Sequence, residues 1–406
     1  MRRKNAIPYL YTFLIISTCI GLVMINRQLP EQFPLQDKFA SHWIAAKVWV
    51  DDGTSPYDDQ VFDETKGLLS DKQYTEPLAQ TLRFYEPVFN LILYLPFGFI
   101  NYELARAIWL LIIEVSVCAS ILISLKIAGW KVHPIEAILL TLVGLIWYPS
   151  LKSILFGDPV SLYVFLILLA VWLVLNHQGT AAGFLLAFTS GLVEVSFFIA
   201  VFLIIWRLTR KDSSILFSYL AGIAFMAAIS WILFPGWFTN WISALIQLFP
   251  GTTILTTPLM RIANLFPGAE TPLNYVLHIG VIVYVLLEWF DAFGKTGRIV
   301  VWKIALTLCL VYFLNIQSQS AYLFLLLPAV FMILRFISER WKILGRIFSW
   351  FLIGVLTSVY WYVFLNRGGW DLVEPSLILL LLPLMVIAGM NWIRWWAIQK
   401  PDPAFT

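Results

Sequence analysis

Long apolar runs, separated by short polar connectors, dominate the chain. About twelve windows are long enough to span a hydrocarbon core of ~30 Å, and counts of 11–13 fit equally well. These windows begin near Ile7, Pro87, Glu103, Pro134, Pro159, Thr180, Ser213, Pro272, Ile299, Ser320, Ile347 and Pro375. The run 179–206 is long enough to be a broken helix. The pattern predicts an all-α polytopic membrane protein, with residues 1–406 in a single integral membrane domain.

Two longer polar stretches, residues 28–86 and 235–271, interrupt this pattern. In the first stretch, Asp37 is placed to cap a helix that runs from about Lys38 to Val50 and ends at Gly53. The sequence therefore predicts a helix close to the membrane inside a large polar loop.

Apolar residues of this predicted helix recur at helical spacing. Phe39, Trp43 and Ala46 fall on one face, which we expect to lie against the membrane surface. Pro56 and Tyr57 then turn the chain.

Composition and charge support the membrane assignment. The chain is 60% hydrophobic and 13% charged, and its mean hydropathy is +0.82. Lys and Arg are scattered at segment ends, so a nucleic-acid partner is not expected. The three cysteines lie within apolar runs, which gives neither a disulfide framework nor a zinc site. No cluster has persuasive ligand spacing for a divalent metal, and no cofactor is expected.

The distribution of cations predicts the orientation. An uncleaved first transmembrane helix follows Arg2, Arg3 and Lys4, which places the N-terminus in the cytoplasm. Alternate connectors are then basic and cytoplasmic, and the two long loops lie outside a cell membrane. The basic positions are Arg207, Arg210, Lys211, Lys295, Arg298, Lys303, Arg335, Arg340, Lys342, Arg346, Arg394 and Lys400.

Three acidic residues fall within or beside apolar segments. Ionisable groups at membrane depth are costly and by default face the bundle or a cavity. Glu114 lies well inside the third segment, and Glu194 follows a possible helix break at residues 190–191. Asp158 precedes Pro159 and suits a helix start, where the helix dipole favours an acid.

Several short motifs carry a resemblance to a known family. They are Asp37, Trp43-Ile44-Ala45-Ala46, Gly53, Ser55-Pro56-Tyr57-Asp58, Phe84-Tyr85-Glu86-Pro87, Leu95-Pro96, Ala105 and Trp109. In order and approximate spacing they resemble the N-terminal half of glycosyltransferase family 87. These are GT-C-fold membrane enzymes related to polyprenol-phosphate-mannose-dependent mannosyltransferases. The resemblance covers about the first 110 residues and extends weakly to about residue 210.

The resemblance implies an inverting glycosyltransferase with a GT-C-like helix bundle. The donor would be a polyprenyl-phosphate-linked sugar, such as mannose, and the acceptor a hydroxyl of a lipid or glycan of the cell envelope. Asp37 would act as the general base, as a partly solvated carboxylate. The candidate substrate-binding residues are His42, Trp43, Tyr57, Tyr85, Asp158, Glu194 and Arg261. Further cations at outer segment ends that could hold the leaving phosphate are Arg83, Lys126, Lys131 and Arg367.

The chain departs from the family at three places. Lys38 separates Asp37 from the aromatic Phe39, the family's Gly-Gln is Gly157-Asp158, and its Lys-Pro is Glu194-Val195. The last change removes a cation. Two alternatives therefore stay open: a multi-pass transporter or flippase of a lipid-linked sugar, and a catalytically silent relative.

Overall fold

The structure, a computed structural model, describes residues 6–32, 37–69, 83–248, 257–315, 320–366 and 377–398. Helices account for 84% of these residues, and the described part of the chain contains no strand. In chain order the helices are α1 (Ala6–Gln32), α2 (Lys38–Asp52), α3 (Asp59–Leu68), α4 (Val88–Leu91), α5 (Leu95–Gly98), α6 (Tyr102–Ala128), α7 (Pro134–Ile146), α8 (Tyr148–Leu155), α9 (Val160–Leu175), α10 (Gly179–Thr189), α11 (Val193–Thr209), α12 (Ser214–Leu233), α13 (Trp237–Leu248), α14 (Pro258–Ala263), α15 (Glu270–Ala292), α16 (Arg298–Leu314), α17 (Leu327–Asn366) and α18 (Leu377–Ile393). A 3₁₀ helix, Ser320–Leu326, precedes α17, and the π-helical turn Arg394–Ile398 extends α18.

Five helical stretches within the described residues are long and apolar enough to cross a membrane. They are α6, α12, α15, Ala321–Asn366 and Leu380–Ile398. Helices α7 and α8, which meet at a bend of 61°, would together make a sixth. The prediction of an all-α, multi-pass membrane protein is therefore confirmed.

The count of about twelve spanning segments is not matched by the helix lengths. Helix α9 has 16 residues and α10 has 11. At a rise of about 1.5 Å per residue, neither covers a hydrocarbon core of ~30 Å alone. A window of apolar residues overcounts spans because it does not detect where the helix breaks.

Two of the predicted segments show how such breaks arise. The segment expected from Pro87 is wrong as a span, since it folds into the two four-residue helices α4 and α5. The broken helix expected over residues 179–206 is confirmed, because α10 ends at Thr189 and α11 begins at Val193.

A tight hairpin lies within α17. Lys342 has φ 48° and ψ −120°, which interrupts the helix. A Cβ on Gly345 would stand 2.3 Å from the carbonyl oxygen of Ile337, and the hydroxyl oxygens of Ser338 and Ser349 lie 3.1 Å apart. The helical segments before and after Lys342 therefore pack antiparallel, and they approach so closely that only glycine fits at position 345. This agrees with the prediction of separate segments that begin near Ser320 and Ile347.

Buried charges join α15, α16 and the π-helical turn. Lys303 is fully buried, and its Nζ lies 2.7 Å from carboxylate oxygens of both Glu288 and Asp291. Arg394 pairs with the second oxygen of Glu288 at 2.5 Å. The assignment of Lys303 to a cytoplasmic connector is therefore wrong, since this lysine lies inside the protein, on α16.

The chain divides into two compact units. One comprises Met1–Val115, Ser153–Pro159 and Phe234–Gly251, and the other Ser116–Lys152, Val160–Leu233 and Thr252–Thr406. The first unit contains the first of the two predicted polar loops, residues 28–86. That loop is largely helical where it is described, because α1 continues to Gln32 and α2 and α3 follow it.

Candidate functional site

Helix α2 forms as the sequence predicts. Asp37, at φ −110° and ψ 102°, is its N-cap, and the Asp37 carboxylate accepts a hydrogen bond from the backbone N–H of Phe39 at 3.0 Å. Gly53, at φ 69°, ends the helix, and its N–H bonds the carbonyl of Trp49 at 3.0 Å. The cap contributes about 0.5–2 kcal/mol to helix stability.

Helix α2 is buried in protein. Phe39 and Ala46 are fully buried, and Trp43 donates its indole N–H to the carbonyl of Phe97 at 2.9 Å. Gly98 lies so close to α2 that a Cβ there would meet the carbonyl oxygen of Ala46 at 3.0 Å. The expectation that the apolar face of α2 lies on the membrane surface is therefore wrong. Helix α5 and its neighbours cover that face.

The Asp37 carboxylate is enclosed and ion-paired. Only 1% of Asp37 is exposed. Its Oδ2 accepts hydrogen bonds from the hydroxyl of Tyr102 and from Nε of Arg106. The expectation of a partly solvated carboxylate is therefore wrong. Removal of either partner of such a buried pair destabilises the protein, because it leaves an uncompensated charge in the interior.

Arg106 connects Asp37 to a distant part of the chain. It lies near the start of α6 and is 3% exposed. Its Nη2 donates to the carbonyl of Leu155 at 3.0 Å. Its Nη1 is buried and has no hydrogen-bond partner among the described residues. Arg106 thus has one hydrogen-bond donor, Nη1, that is unused among the described residues and belongs to the guanidinium that pairs with Asp37.

The turn at Gly157 and Asp158 packs against the start of α2. Gly157 has φ +62°, and a Cβ there would stand 3.3 Å from Oδ1 of Asp37. Trp109 donates its indole N–H to the carbonyl of Gly157 at 2.9 Å. The carboxylate of Asp158 lies 2.6 Å from Nζ of Lys38. Positions that are 120 residues apart in sequence, Lys38 and Asp158, therefore meet here.

A second polar cluster lies one turn further along α2. His42 is 8% exposed, and its Nε2 lies 3.1 Å from Oε1 of Glu86 while its Nδ1 lies 2.7 Å from the carbonyl of Lys38. Asn90 donates to the other oxygen of Glu86 at 2.8 Å. Both of these partners are acceptors, so a doubly protonated imidazole would satisfy both contacts at once.

The electrostatics of His42 also favour the protonated imidazole. Burial lowers the pKa of His42, but the nearby Glu86 carboxylate and the hydrogen bonds to Glu86 and Lys38 outweigh it, so the pKa of His42 is raised above its ordinary value. The Glu86 carboxylate therefore favours the protonated form of His42.

Tyr57 and Tyr85 hold the segment that carries Glu86. The Tyr57 hydroxyl donates to the carbonyl of Glu86 at 2.7 Å. Burial raises the pKa of Tyr57, so its hydroxyl stays protonated. The carbonyl of Tyr85 accepts the indole N–H of Trp241, on α13, at 3.0 Å.

An open cleft of about 480 Å³ adjoins these tyrosines. We call it the first-loop cleft. Its walls are the turn 55–58, one face of α3 with Val61, Phe62 and Lys66, the segment 83–85, and one face of α13 with Asn240, Ser243 and Ala244. Asp37 is not among its lining residues. The ring of Phe84, which contacts His42 at 5.6 Å between centroids, lies on the cleft wall.

The predicted site residues divide between the two compact units. Asp37, His42, Trp43, Tyr57, Tyr85 and Asp158 all belong to the first unit. Arg261 lies on α14, in the second unit. Lys126 and Lys131 also belong to the second unit. Glu194 lies in the first turn of α11. The side chain of Glu194 and the whole of Arg367 lie outside the described part of the chain.

Sequence reasoning missed Arg106 and the pairing role of Glu86. One signal was present for Arg106. It precedes Trp109 by three positions in a largely apolar helix, so the two side chains share a face. No group of three or more His, Cys, Asp or Glu side chains among the described residues could hold a metal ion.

Comparisons of the chain with protein-family models, with curated proteins and with solved structures found no match.

Proposed function

We propose that this protein is an inverting glycosyltransferase with a GT-C-like helix bundle. It moves a sugar, with mannose the first candidate, from a polyprenyl-phosphate donor to an acceptor hydroxyl on the outer side of a cell membrane. One observation carries the proposal. Motif positions that are far apart in sequence surround Asp37: Gly157 stands against its carboxylate, and Trp109 holds Gly157.

Asp37 is the general base of this proposal, and its burial sets a requirement. Its Oδ2 is engaged by Tyr102 and Arg106, so a substrate hydroxyl reaches the carboxylate only after these donors move. Arg106 has an alternative anionic partner in the donor's phosphate. A guanidinium binds phosphate through two parallel N–H bonds, and Nη1 of Arg106 is unpartnered among the described residues.

The reaction then balances as a direct displacement. Asp37 takes the proton of the acceptor hydroxyl as that oxygen bonds to the anomeric carbon. The bond between the anomeric carbon and the phosphate oxygen breaks, and the lipid phosphate leaves with the electron pair. Arg106 stabilises the negative charge that develops on the leaving phosphate. Attack from the face opposite to the leaving group inverts the anomeric centre.

The test is sugar transfer by purified protein in lipid. Radiolabelled polyprenyl-phosphate-mannose is the first donor, and an envelope extract supplies acceptors. Asp37→Asn is compared with Asp51→Asn, a matched control because Asp51 is an exposed acid on the same helix. Asparagine caps helices as well as aspartate does, so the variant keeps the cap and loses the charge. Thermal unfolding of each variant separates loss of fold from loss of chemistry.

We expect transfer by the wild type and by Asp51→Asn, and none by folded Asp37→Asn. Transfer that survives in Asp37→Asn would exclude this residue as the base. Absence of transfer by the wild type with mannose, glucose and arabinose donors would overturn the enzyme proposal. Sugar-dependent flux in proteoliposomes would then indicate a transporter.

A further inference from the structure

Two positive groups meet at one aromatic ring in the first-loop cleft. Nζ of Lys66 and Cζ of Arg83 each lie 4.2 Å from the ring centroid of Phe62. They are therefore no more than twice that distance apart. Both line the cleft. A phosphate group with its oxygens can contact two cations at such a separation, and the arginine fork matches phosphate geometry.

The arginine is available for exchange of partners. Nη1 of Arg83 lies 2.7 Å from Oδ1 of Asp59, whose side chain is 79% exposed. Exposed ion pairs of this kind contribute little, so a phosphate that enters the cleft can replace the Asp59 carboxylate at small cost. Lys66 itself is exposed, and its contact with Phe62 leaves its ammonium group open to a ligand.

The remaining walls suit a ring that carries hydroxyl groups. Tyr57, Phe84 and Tyr85 supply aromatic surface, and Asn240 and Ser243 supply an amide and a hydroxyl from one face of α13. These walls are held in place before any ligand binds. The Tyr57 hydroxyl bonds the carbonyl of Glu86, and Trp241 bonds the carbonyl of Tyr85. A cavity of about 480 Å³ lies within the usual range for small-molecule sites.

We propose that the first-loop cleft binds a phosphorylated sugar, with the phosphate on Lys66 and Arg83 and the sugar ring against the tyrosines. Such a group can come from a soluble sugar phosphate or from the headgroup of a phosphorylated glycolipid. Its role as an acceptor for transfer rests on the proposed function. The binding itself does not, because the proposed function assigns the donor's phosphate to Arg106, and neither Arg106 nor Asp37 lines the cleft.

The experiment measures binding without any donor. The wild type in lipid nanodiscs is titrated with glucose 6-phosphate, with octyl glucoside 6-phosphate, and with glucose alone. The test variant is Lys66→Gln/Arg83→Gln. The control is Lys47→Gln, which removes an exposed lysine that pairs with Asp51 on α2 and does not line the cleft. All three proteins are also assayed for sugar transfer.

We expect both phosphorylated ligands to bind the wild type and Lys47→Gln, and to bind the double variant about tenfold more weakly or worse, as loss of charge-assisted contacts requires. Glucose alone should bind weakly to all three. Tighter binding of the octyl compound would identify a lipid-borne ligand, and equal binding a soluble one. Equal binding of phosphorylated ligand to wild type and double variant, or no binding to the wild type, would overturn the proposal. Sugar transfer that fails while binding persists would count against the proposed enzyme and leave the cleft assignment intact.

Discussion

Arg106 and Asp37 form an ion pair in which 3% of the arginine side chain and none of the aspartate side chain is exposed. The pair joins the beginning of α6 to the N-cap of α2 across 69 positions of sequence. It thereby fixes the one carboxylate on which the proposed chemistry depends.

We predict that Arg106→Met destabilises the protein by about 3–5 kcal/mol, because it leaves the Asp37 carboxylate buried without a counter-charge. Unfolding in detergent measures the change. The double variant Asp37→Asn/Arg106→Met removes both charges and should recover much of the loss. As a control, Arg27→Met breaks an exposed pair with Glu103 and should cost about 1 kcal/mol or less. Equal costs for the two arginines would show that burial of the Asp37 pair has no energetic consequence.

Gly157→Ala should reduce both stability and sugar transfer. Gly157 has φ +62°, and its new Cβ would press on Cβ of Phe39 at 3.1 Å and on Oδ1 of Asp37 at 3.3 Å. Gly53→Ala is the matched control, since Gly53 has φ +69° and open space around its Cα. Both substitutions incur the left-handed backbone cost of about 1–2 kcal/mol. Only Gly157→Ala should also lower sugar transfer. Unfolding experiments measure the loss of stability in both variants, and initial rates of transfer measure the loss of activity.

The local parts of this fold were predictable from sequence, and the burial of those parts was not. The prediction of α2 is confirmed, because its N-cap at Asp37 and its C-terminal end at Gly53 depend only on residues that are neighbours in sequence. Phe39 and Trp43 form an apolar face that looks the same in sequence whether lipid or protein covers it. Only tertiary structure distinguishes the two, and here the cover is protein.

Buried cations were missed for a related reason. Arg106 and Lys303 each lie in an apolar helix near one of its ends, where a cation normally reaches the membrane surface. Their acidic partners, Asp37 and Glu288, lie 69 and 15 positions away. No periodicity within a single helix reveals such pairs, so neither of these internal ion pairs could be predicted from the sequence.

Glu86→Gln should weaken the pH response of stability that His42 contributes. The folded-state pKa of His42 is raised above 6.5. A raised pKa gives stability that is fully present below the unfolded value and is lost as pH rises through the folded value. In Glu86→Gln the carboxylate that raises the pKa of His42 is gone, while burial, which lowers it, remains.

Melting temperatures at about pH 6 and about pH 9 test this sign. Acidification should stabilise the wild type relative to Glu86→Gln. Glu103→Gln, which removes an exposed acid, should follow the wild type. A Glu86→Gln protein with the pH profile of the wild type would show that His42 carries no extra proton in the folded state.

Lys303→Met should destabilise the second unit far more than Lys295→Met, although both lysines pair with Asp291. Lys303 is fully buried and pairs with both Glu288 and Asp291, so its loss removes the buried cation that lies between two acids, at a cost of about 3–5 kcal/mol. Lys295 and Asp291 form an i,i+4 pair that is about half exposed, worth roughly 0.3–0.5 kcal/mol.

Unfolding of both variants in the same detergent gives the comparison. The added substitution Glu288→Gln should rescue Lys303→Met in part, because it removes one of the two acids that Lys303 neutralised, although Arg394 then loses its own partner. If the two lysine variants unfold alike, the three helical elements do not depend on this buried charge network.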